Sequence, residues 1–170
     1  WLNSNAAAQQ TILAVGDGGT SAQLSVVNGQ LNFFLNGSEI AVGGAITADL
    51  WNHVAVVVEA GSPSLVTLYV NGIQTGQGSF PGTIDITGTT AYLGRSTSGT
   101  AGTEEYLSGS LSDFRVYTEA RGIADIRADM TGSTANSTNL YARWTLDSIT
   151  GGTIADSLGG HDGSILGYNY

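Results

Sequence analysis

The sequence predicts an all-β protein, a sandwich of two antiparallel sheets with one short helix near residues 119–130. Short runs of β-branched and aromatic residues alternate with polar ones, which is the period of a strand with one face on a core. Asn-Gly dipeptides and other turn residues interrupt these runs roughly every 8–12 residues. Glycine is abundant, at 25 of 170 residues. Many short strands joined by frequent turns are typical of a two-sheet sandwich.

The stretch at residues 50–72 is the centre of the predicted fold. Two alternating runs, at 54–58 and 66–70, are separated by turn residues at 60–64. Asn71-Gly72 closes the second run with the dipeptide that suits a type I′ turn, because both central residues of that turn need a positive φ. We expect an antiparallel pair of strands in the middle of a sheet.

The other predicted elements follow in chain order. The helix rests on Ile123, Ile126 and Met130, whose spacing of i, i+3 and i+7 makes one apolar stripe. Residues 151–170 are glycine-rich and predicted to be irregular, with Ile165-Leu166 as their contact to a core. Further strands are predicted at residues 11–15, 22–27, 30–35, 38–42, 72–78, 90–94, 107–117 and 140–147.

Charge is sparse and mostly negative, because fourteen acidic residues face five arginines and no lysine, for a net charge of −9. Such a surface repels polyanions, so neither nucleic acid nor an anionic bilayer is an expected partner. No apolar run has membrane-spanning length. Trp1 opens the chain inside an apparent strand. We expect a single domain over residues 1–170, cut from a larger secreted or cell-surface protein with neighbouring domains.

Four motifs occur in a fixed order along the chain. They are Trp51-Asn52-His53-Val54, Leu68-Tyr69-Val70-Asn71-Gly72, Leu93-Gly94-Arg95 and the run at 107–117. Their order and spacing, followed by the helix, resemble those of laminin G-like domains and of pentraxins, and the likeness covers nearly the whole chain. The resemblance implies a concanavalin A-like jelly roll. Members of this family bind sugars, proteins or lipids, so the fold alone does not identify the ligand.

The resemblance also implies a calcium site. In pentraxins an acidic loop late in the chain and an aspartate in an early loop supply the ligands, and the matching positions here are Glu104, Glu105 and Asp17. Calcium takes about 6–8 oxygen ligands from carboxylates and carbonyls, which such loops provide. The late loop is otherwise made of Ser, Thr, Gly and Ala, unlike the loop of a double-calcium site. For each single acid, the alternative is a solvated surface carboxylate.

The tail carries a further likeness. Trp144-x-Leu146-Asp147, followed by His161-Asp162-Gly163, resembles the opening strands of bacterial laminin G-like domains, although it stands near the end of this chain. Two interpretations follow. Either the strand order is permuted, or residues 140–170 supply an outer strand.

Tyr92 and Tyr106 flank the polar loop and are the candidate aromatics for ligand binding, with Arg95 beside them. Core packing is the alternative for both tyrosines, and Trp51, like most other aromatics, is predicted to lie in the core. Catalysis is not expected. The chain has no Gly-x-Ser-x-Gly elbow, and no strand carries two acids two positions apart, as glycosidases of this fold do.

The expected function is therefore non-catalytic recognition of a glycan through rim loops, with assistance from calcium. One alternative is a structural spacer or protein–protein interaction domain of a bacterial adhesin. Another is a lectin-like accessory domain of a glycosidase. The acidic, lysine-free composition is similar to that of modules in large bacterial adhesins, which places the protein outside the cell.

Overall fold

The computed structural model describes residues 1–6, 9–16, 21–85, 90–97, 105–132 and 137–166. These residues form fifteen strands and one helix, so the all-β prediction is confirmed. The chain divides into two compact units, one of Leu2–Ser110 and one of Trp1 with Leu111–Tyr170. Within the part of the chain that is described, no helix has the length and apolar character needed to cross a bilayer.

Eleven strands come first in the chain. The main sheet has five antiparallel strands in the order β10-β2-β3-β4-β5, and smaller sheets have the orders β7-β8-β9 and β11-β1-β6. The strands are β1 (Leu2–Ser4), β2 (Gln9–Val15), β3 (Ala22–Val27), β4 (Gln30–Leu35), β5 (Ser38–Ala45), β6 (Trp51–Asn52), β7 (Val54–Glu59), β8 (Ser64–Val70), β9 (Ile73–Phe80), β10 (Ala91–Leu93) and β11 (Gly109–Leu111).

The predicted Asn-Gly hairpins are present. Asn28-Gly29 joins β3 to β4 with φ values of 49° and 76°, and Asn71-Gly72 joins β8 to β9 with 51° and 70°. Positive φ at both central residues is the backbone of a type I′ turn, as the dipeptide predicts. The central pair β7–β8 also forms, in the register Val54↔Val70. The prediction that both strands lie in the middle of a sheet is wrong for β7, which ends its sheet in the order β7-β8-β9.

Alternation along β3 and β4 builds the core. The pairs Val26↔Leu31, Leu24↔Phe33 and Ala22↔Leu35 share one face of the main sheet, and all six residues are buried. Each large apolar side chain buried in this way contributes about 1.5–3 kcal/mol. A Cβ at Gly43 in β5 would lie 3.2 Å from the side chain of Leu68 in β8, so β5 packs directly on β8. The main sheet and the β7-β8-β9 sheet thus form the two layers of the predicted sandwich.

The crossing of β5 and β9 needs glycine. A Cβ added at Gly78 would overlap the carbonyl oxygen of Ile40, and one at Gly76 would overlap that of Val42. Both obstacles are backbone atoms, which cannot rotate away as a side chain can. The Gly-x-Gly spacing in β9 therefore lets two strands approach more closely than side chains permit.

The second unit contains the helix and four further strands. The helix begins at Ile123, later than the predicted 119, because Gly122 has the extended backbone of an N-cap (φ −73°, ψ 161°). Strands β12 and β13 pair with Arg115 opposite Arg143 in a two-stranded sheet of their own, so residues 140–144 of the tail form a strand. The elements are β12 (Phe114–Tyr117), α1 (Ile123–Met130), β13 (Leu140–Trp144), β14 (Thr153–Ile154) and β15 (Gly163–Ser164).

Two details of this unit correct the sequence-based expectations. The strand predicted over 107–117 is broken between β11 and β12, where Asp113 takes a φ of 50° that a strand cannot continue. The tail predicted as irregular forms the short pair β14–β15. Leu166, expected to contact a core, is 58% exposed.

Candidate functional site

The face of the main sheet opposite the core is unusually polar. Directly paired residues of antiparallel strands share a face. One row across the sheet is Thr11↔Ser25↔Asn32, and all three residues are buried. The adjacent row is Tyr92↔Ala14↔Gln23↔Phe34↔Glu39. We call this surface, which carries Thr11, Gln23, Ser25, Asn32, Phe34 and Tyr92, the polar face.

Gln23 and Glu105 are the centre of a hydrogen-bond cluster on the polar face. The Gln23 Nε2 atom lies 2.9 Å from Glu105 Oε2, 2.9 Å from Thr11 Oγ1 and 2.8 Å from Ser25 Oγ. The Thr11 hydroxyl also lies 3.3 Å from Glu105 Oε2. Four polar side chains from β2, β3 and a connecting segment therefore converge within hydrogen-bonding distance, on a sheet whose other face is apolar.

Backbone bonds hold Glu105 against the sheet. The N–H of Gly94 donates to Ile12 O at 2.9 Å. The carbonyl oxygen of Gly94 accepts a hydrogen bond from Leu107 N at 2.9 Å. Ser96 fixes Glu105 twice, since Ser96 N donates to Glu105 O at 3.2 Å and Ser96 Oγ accepts from Glu105 N at 3.2 Å. The segment at 105–107 therefore lies beside 94–96, which continues the line of β10. This arrangement places the Glu105 carboxylate within hydrogen-bonding distance of Gln23 and Thr11.

The three residues predicted to bind a ligand lie together beside this cluster. Arg95 and Tyr106 face each other in an antiparallel bridge. The guanidinium carbon of Arg95 lies 4.8 Å from the centre of the Tyr92 ring, in the geometry of a cation–π contact. Tyr92 is half-buried under Arg95, whereas Tyr106 is 59% exposed. Core packing, the alternative for both tyrosines, therefore does not describe Tyr106.

Asn32 carries an unsatisfied acceptor. Its Nδ2 donates to Glu39 Oε2 at 2.8 Å, but its buried Oδ1 accepts no hydrogen bond from any described residue. A buried polar atom without a partner costs about 1–3 kcal/mol, and native structures have few of them. This departure from full hydrogen bonding lies on the polar face, in the same row as Thr11 and Ser25.

Of the three predicted calcium ligands, Glu105 is the one among the described residues. Asp17 and Glu104 lie outside the described residues. Glu105 offers one carboxylate, whose Oε2 already accepts hydrogen bonds from Gln23 and Thr11. Among the described residues, no three or more acidic, histidine or cysteine side chains are grouped as a metal site would require. Among the described residues, Glu105 is therefore the one predicted ligand that could bind a calcium ion.

A second polar cluster, in the tail, is structural. The Asp156 side chain is fully buried, and it accepts hydrogen bonds from Arg143 N at 2.9 Å and Leu158 N at 3.1 Å. The bond from Arg143 N is the main reason that the pKa of Asp156 is lowered. His161 Nδ1 lies 3.3 Å from its other oxygen, and the His161 ring packs on Tyr141 with centroids 4.2 Å apart. These bonds tie β13 to the segment that joins β14 to β15.

Sequence reasoning missed most of the polar face. Thr11, Gln23, Ser25 and Asn32 were predicted only as strand residues. A usable signal was present, because the Asn28-Gly29 turn fixes the β3–β4 register and so places Ser25 opposite Asn32. The exposure of Trp51, at 48%, was also missed. Trp51 belongs to a two-residue strand, β6, and the other residue of that strand, Asn52, is the buried one.

Two comparisons with known proteins give matches, and a search of curated proteins finds none. The family model Laminin_G_3, described as the concanavalin A-like lectin/glucanases superfamily, matches residues 1–127. A crystal structure from Bacteroides ovatus, of a protein provisionally named a carbohydrate binding protein, superposes with a TM-score of 0.74 at 22% identity. The match covers 96% of this chain and 49% of that one, so the chain spans about half the length of its structural neighbour.

Proposed function

Because the chain belongs to the Laminin_G_3 family of the concanavalin A-like lectin/glucanases superfamily, we propose that it is a non-catalytic glycan-recognition module of a secreted or cell-surface protein. The observation that carries the proposal is the convergence of Glu105, Gln23 and Thr11, with the exposed side chain of Tyr106 on the next residue of the chain. The provisional name of the Bacteroides ovatus neighbour, a carbohydrate binding protein, points the same way.

The chemistry of the cluster suits a sugar. Sugar hydroxyls both donate and accept hydrogen bonds, and an amide next to a carboxylate offers both functions in one place. Tyr106 adds an exposed ring on which the C–H face of a sugar can pack, with its hydroxyl still in water. The side chains that fix Gln23 and Glu105 are themselves buried or half-buried, so the polar groups are held in place before a ligand arrives.

The structural-spacer alternative is less well supported. A spacer needs neither exposed aromatics nor convergent polar groups, and both occur within the unit of Leu2–Ser110. An accessory role beside a catalytic domain is compatible with the proposal, because the module would still bind glycan. That role depends on what adjoins the module in the full protein.

The proposal is tested by screening the protein on a glycan array and measuring Kd for the strongest neutral glycan. We expect Glu105→Ala and Tyr106→Ala each to weaken binding about tenfold or more, which is about 1.4 kcal/mol. Glu59→Ala and Tyr141→Ala are matched controls, since they remove an exposed acid and an exposed tyrosine elsewhere. Absence of binding to any glycan, or equal effects in controls and site variants, would contradict the proposal.

A further inference from the structure

Arg95 is an isolated positive charge. The sequence has no other lysine or arginine before Arg115. Eight carboxylates share the same stretch of chain: Asp17, Glu39, Asp49, Glu59, Asp85, Glu104, Glu105 and Asp113. A single cation among so many acids, next to the cluster that the proposed function uses, needs a physical explanation.

The described contacts of Arg95 hold it in place but do not neutralise it. Its guanidinium lies over the Tyr92 ring, and its Nε donates to the Ser96 carbonyl oxygen at 3.2 Å. Arg115, Arg121 and Arg143 each form an ion pair with a described carboxylate, whereas no described carboxylate pairs with Arg95. With Nε bonded to backbone and one flat side on Tyr92, the two terminal nitrogens are the groups left to meet a partner.

We propose that Arg95 is the specificity-determining residue of the glycan site and that it binds the carboxylate of an acidic sugar. The inference rests on the proposed function and names the ligand class for the same site. A guanidinium and a carboxylate match as two planar forks joined by two parallel hydrogen bonds. Glu105 and Gln23 then contact the hydroxyls of the neighbouring sugar, while Tyr92 positions Arg95 and does not itself touch the ligand.

The charge of the chain restricts the ligand further. With a net charge of −9, the protein repels polyanions at long range, so a polymer with a carboxylate on every residue is disfavoured. One acidic residue at the end of an otherwise neutral oligosaccharide avoids most of that repulsion. The ligand class is therefore a neutral oligosaccharide capped by a single carboxylate-bearing sugar.

The test compares matched ligands by calorimetry. The pairs are sialyllactose with lactose, and glucuronic-acid-capped xylotriose with xylotriose. The methyl ester of each acidic member removes its charge and adds one methyl group, and sulfated lactose offers a tetrahedral anion in place of the carboxylate. We expect the wild type to prefer at least one acidic member over its neutral partner and its ester by about tenfold or more. Sulfated lactose binding equally well would overturn the assignment to a carboxylate.

The protein variants separate this inference from the proposed function. Arg95→Gln should abolish the preference for the acidic member, and Arg95→Lys should retain only part of that preference, because lysine lacks the fork. Arg127→Gln, an equal charge change on the exposed face of α1, should have no effect. If neither pair shows a preference while Glu105→Ala still weakens neutral binding, this inference fails and the proposed function stands. If no glycan binds at all, both fail. The ester comparison needs no protein variant, so a poorly folded Arg95→Gln would not prevent the test.

Discussion

Gly78 sits where β9 crosses β5, and the space for its side chain is already filled by a carbonyl oxygen of Ile40. Glycine is required here because β9 approaches β5 closely, and not because the chain turns. The pattern Gly76-x-Gly78 within a strand is visible in the sequence, but its reason is not, because the obstructing strand lies more than thirty residues earlier. At this scale the sequence predicts positive-φ glycines after asparagine much better than it predicts glycines required by a distant neighbour.

Substituting Gly78 by alanine should therefore destabilise the protein. A Cβ that overlaps backbone must push β5 and β9 apart, and overpacking of this kind costs about 3 kcal/mol. Urea unfolding followed by tryptophan fluorescence would measure the change in the free energy of unfolding. Gly122→Ala is the matched control, because its Cβ would meet only Asp125 Oδ2 at 3.8 Å, and it should cost less than about 1 kcal/mol. Equal losses for the two variants would contradict the explanation.

The β3–β4 hairpin shows how far an element can be read from sequence alone. Its turn, Asn28-Gly29, sets the register, and the register sorts leucine and phenylalanine to the core and Gln23, Ser25 and Asn32 to the polar face. What the hairpin does not reveal is that Glu105, more than seventy residues later, returns to bond with Gln23. Sequence spacing carries no information about that contact. The sequence therefore predicted Tyr92, Arg95 and Tyr106 at the rim of the site, but not Gln23 at its centre.

The β12–β13 pair depends on a charged contact that sequence patterns did not predict. Arg115 and Arg143 are directly opposed, and like charges placed so destabilise a sheet. Asp113 relieves this repulsion, with its two oxygens 2.7 Å from Arg115 Nη2 and 2.6 Å from Arg143 Nε. Burial alone would raise the pKa of Asp113, but hydrogen bonds from the two arginines outweigh burial and hold the pKa below its ordinary value of 3.8.

This lowered pKa predicts an acid-sensitive contribution to stability. Because the folded state holds Asp113 ionised more strongly than the unfolded state does, its contribution is complete above the ordinary carboxyl pKa and is lost as pH falls through the lower, folded value. Asp113→Asn should cost about 2 kcal/mol at pH 7, and its deficit should shrink toward pH 2. Asp147→Asn removes an exposed carboxylate of the same unit and should follow the wild type. The readout is the free energy of unfolding by urea across this pH range, and a deficit independent of pH would count against the explanation.

At the scale of the whole chain, the all-β class was predicted correctly, as was the two-layer sandwich within Leu2–Ser110, because both follow from the alternation and turn chemistry of the sequence. The calcium site remains a prediction. It rests on Asp17 and Glu104 together with Glu105, whose described contacts are hydrogen bonds to Gln23 and Thr11. A metal at this rim would also reduce the repulsion among carboxylates of a chain with net charge −9.

Calcium binding is checked by the melting temperature of the intact chain. If the ion binds the folded state only, calcium at a hundred times its Kd stabilises by about 2.7 kcal/mol, which raises Tm by roughly 5–10 °C for a domain of this size. The triple variant Asp17→Asn/Glu104→Gln/Glu105→Gln should lose the increase, whereas Glu59→Gln should keep it. Equal midpoints in calcium and in chelator would rule the site out.

The close approach of β5 and β9 at Gly76 and Gly78 has a practical consequence for protein engineering. The two backbones are in contact there, so a mutant library would gain nothing from larger side chains at these two positions. Tyr106, whose side chain is 59% exposed, carries no such restriction. A binder-selection campaign could therefore diversify Tyr106 and retain a scaffold whose rigidity comes from elsewhere.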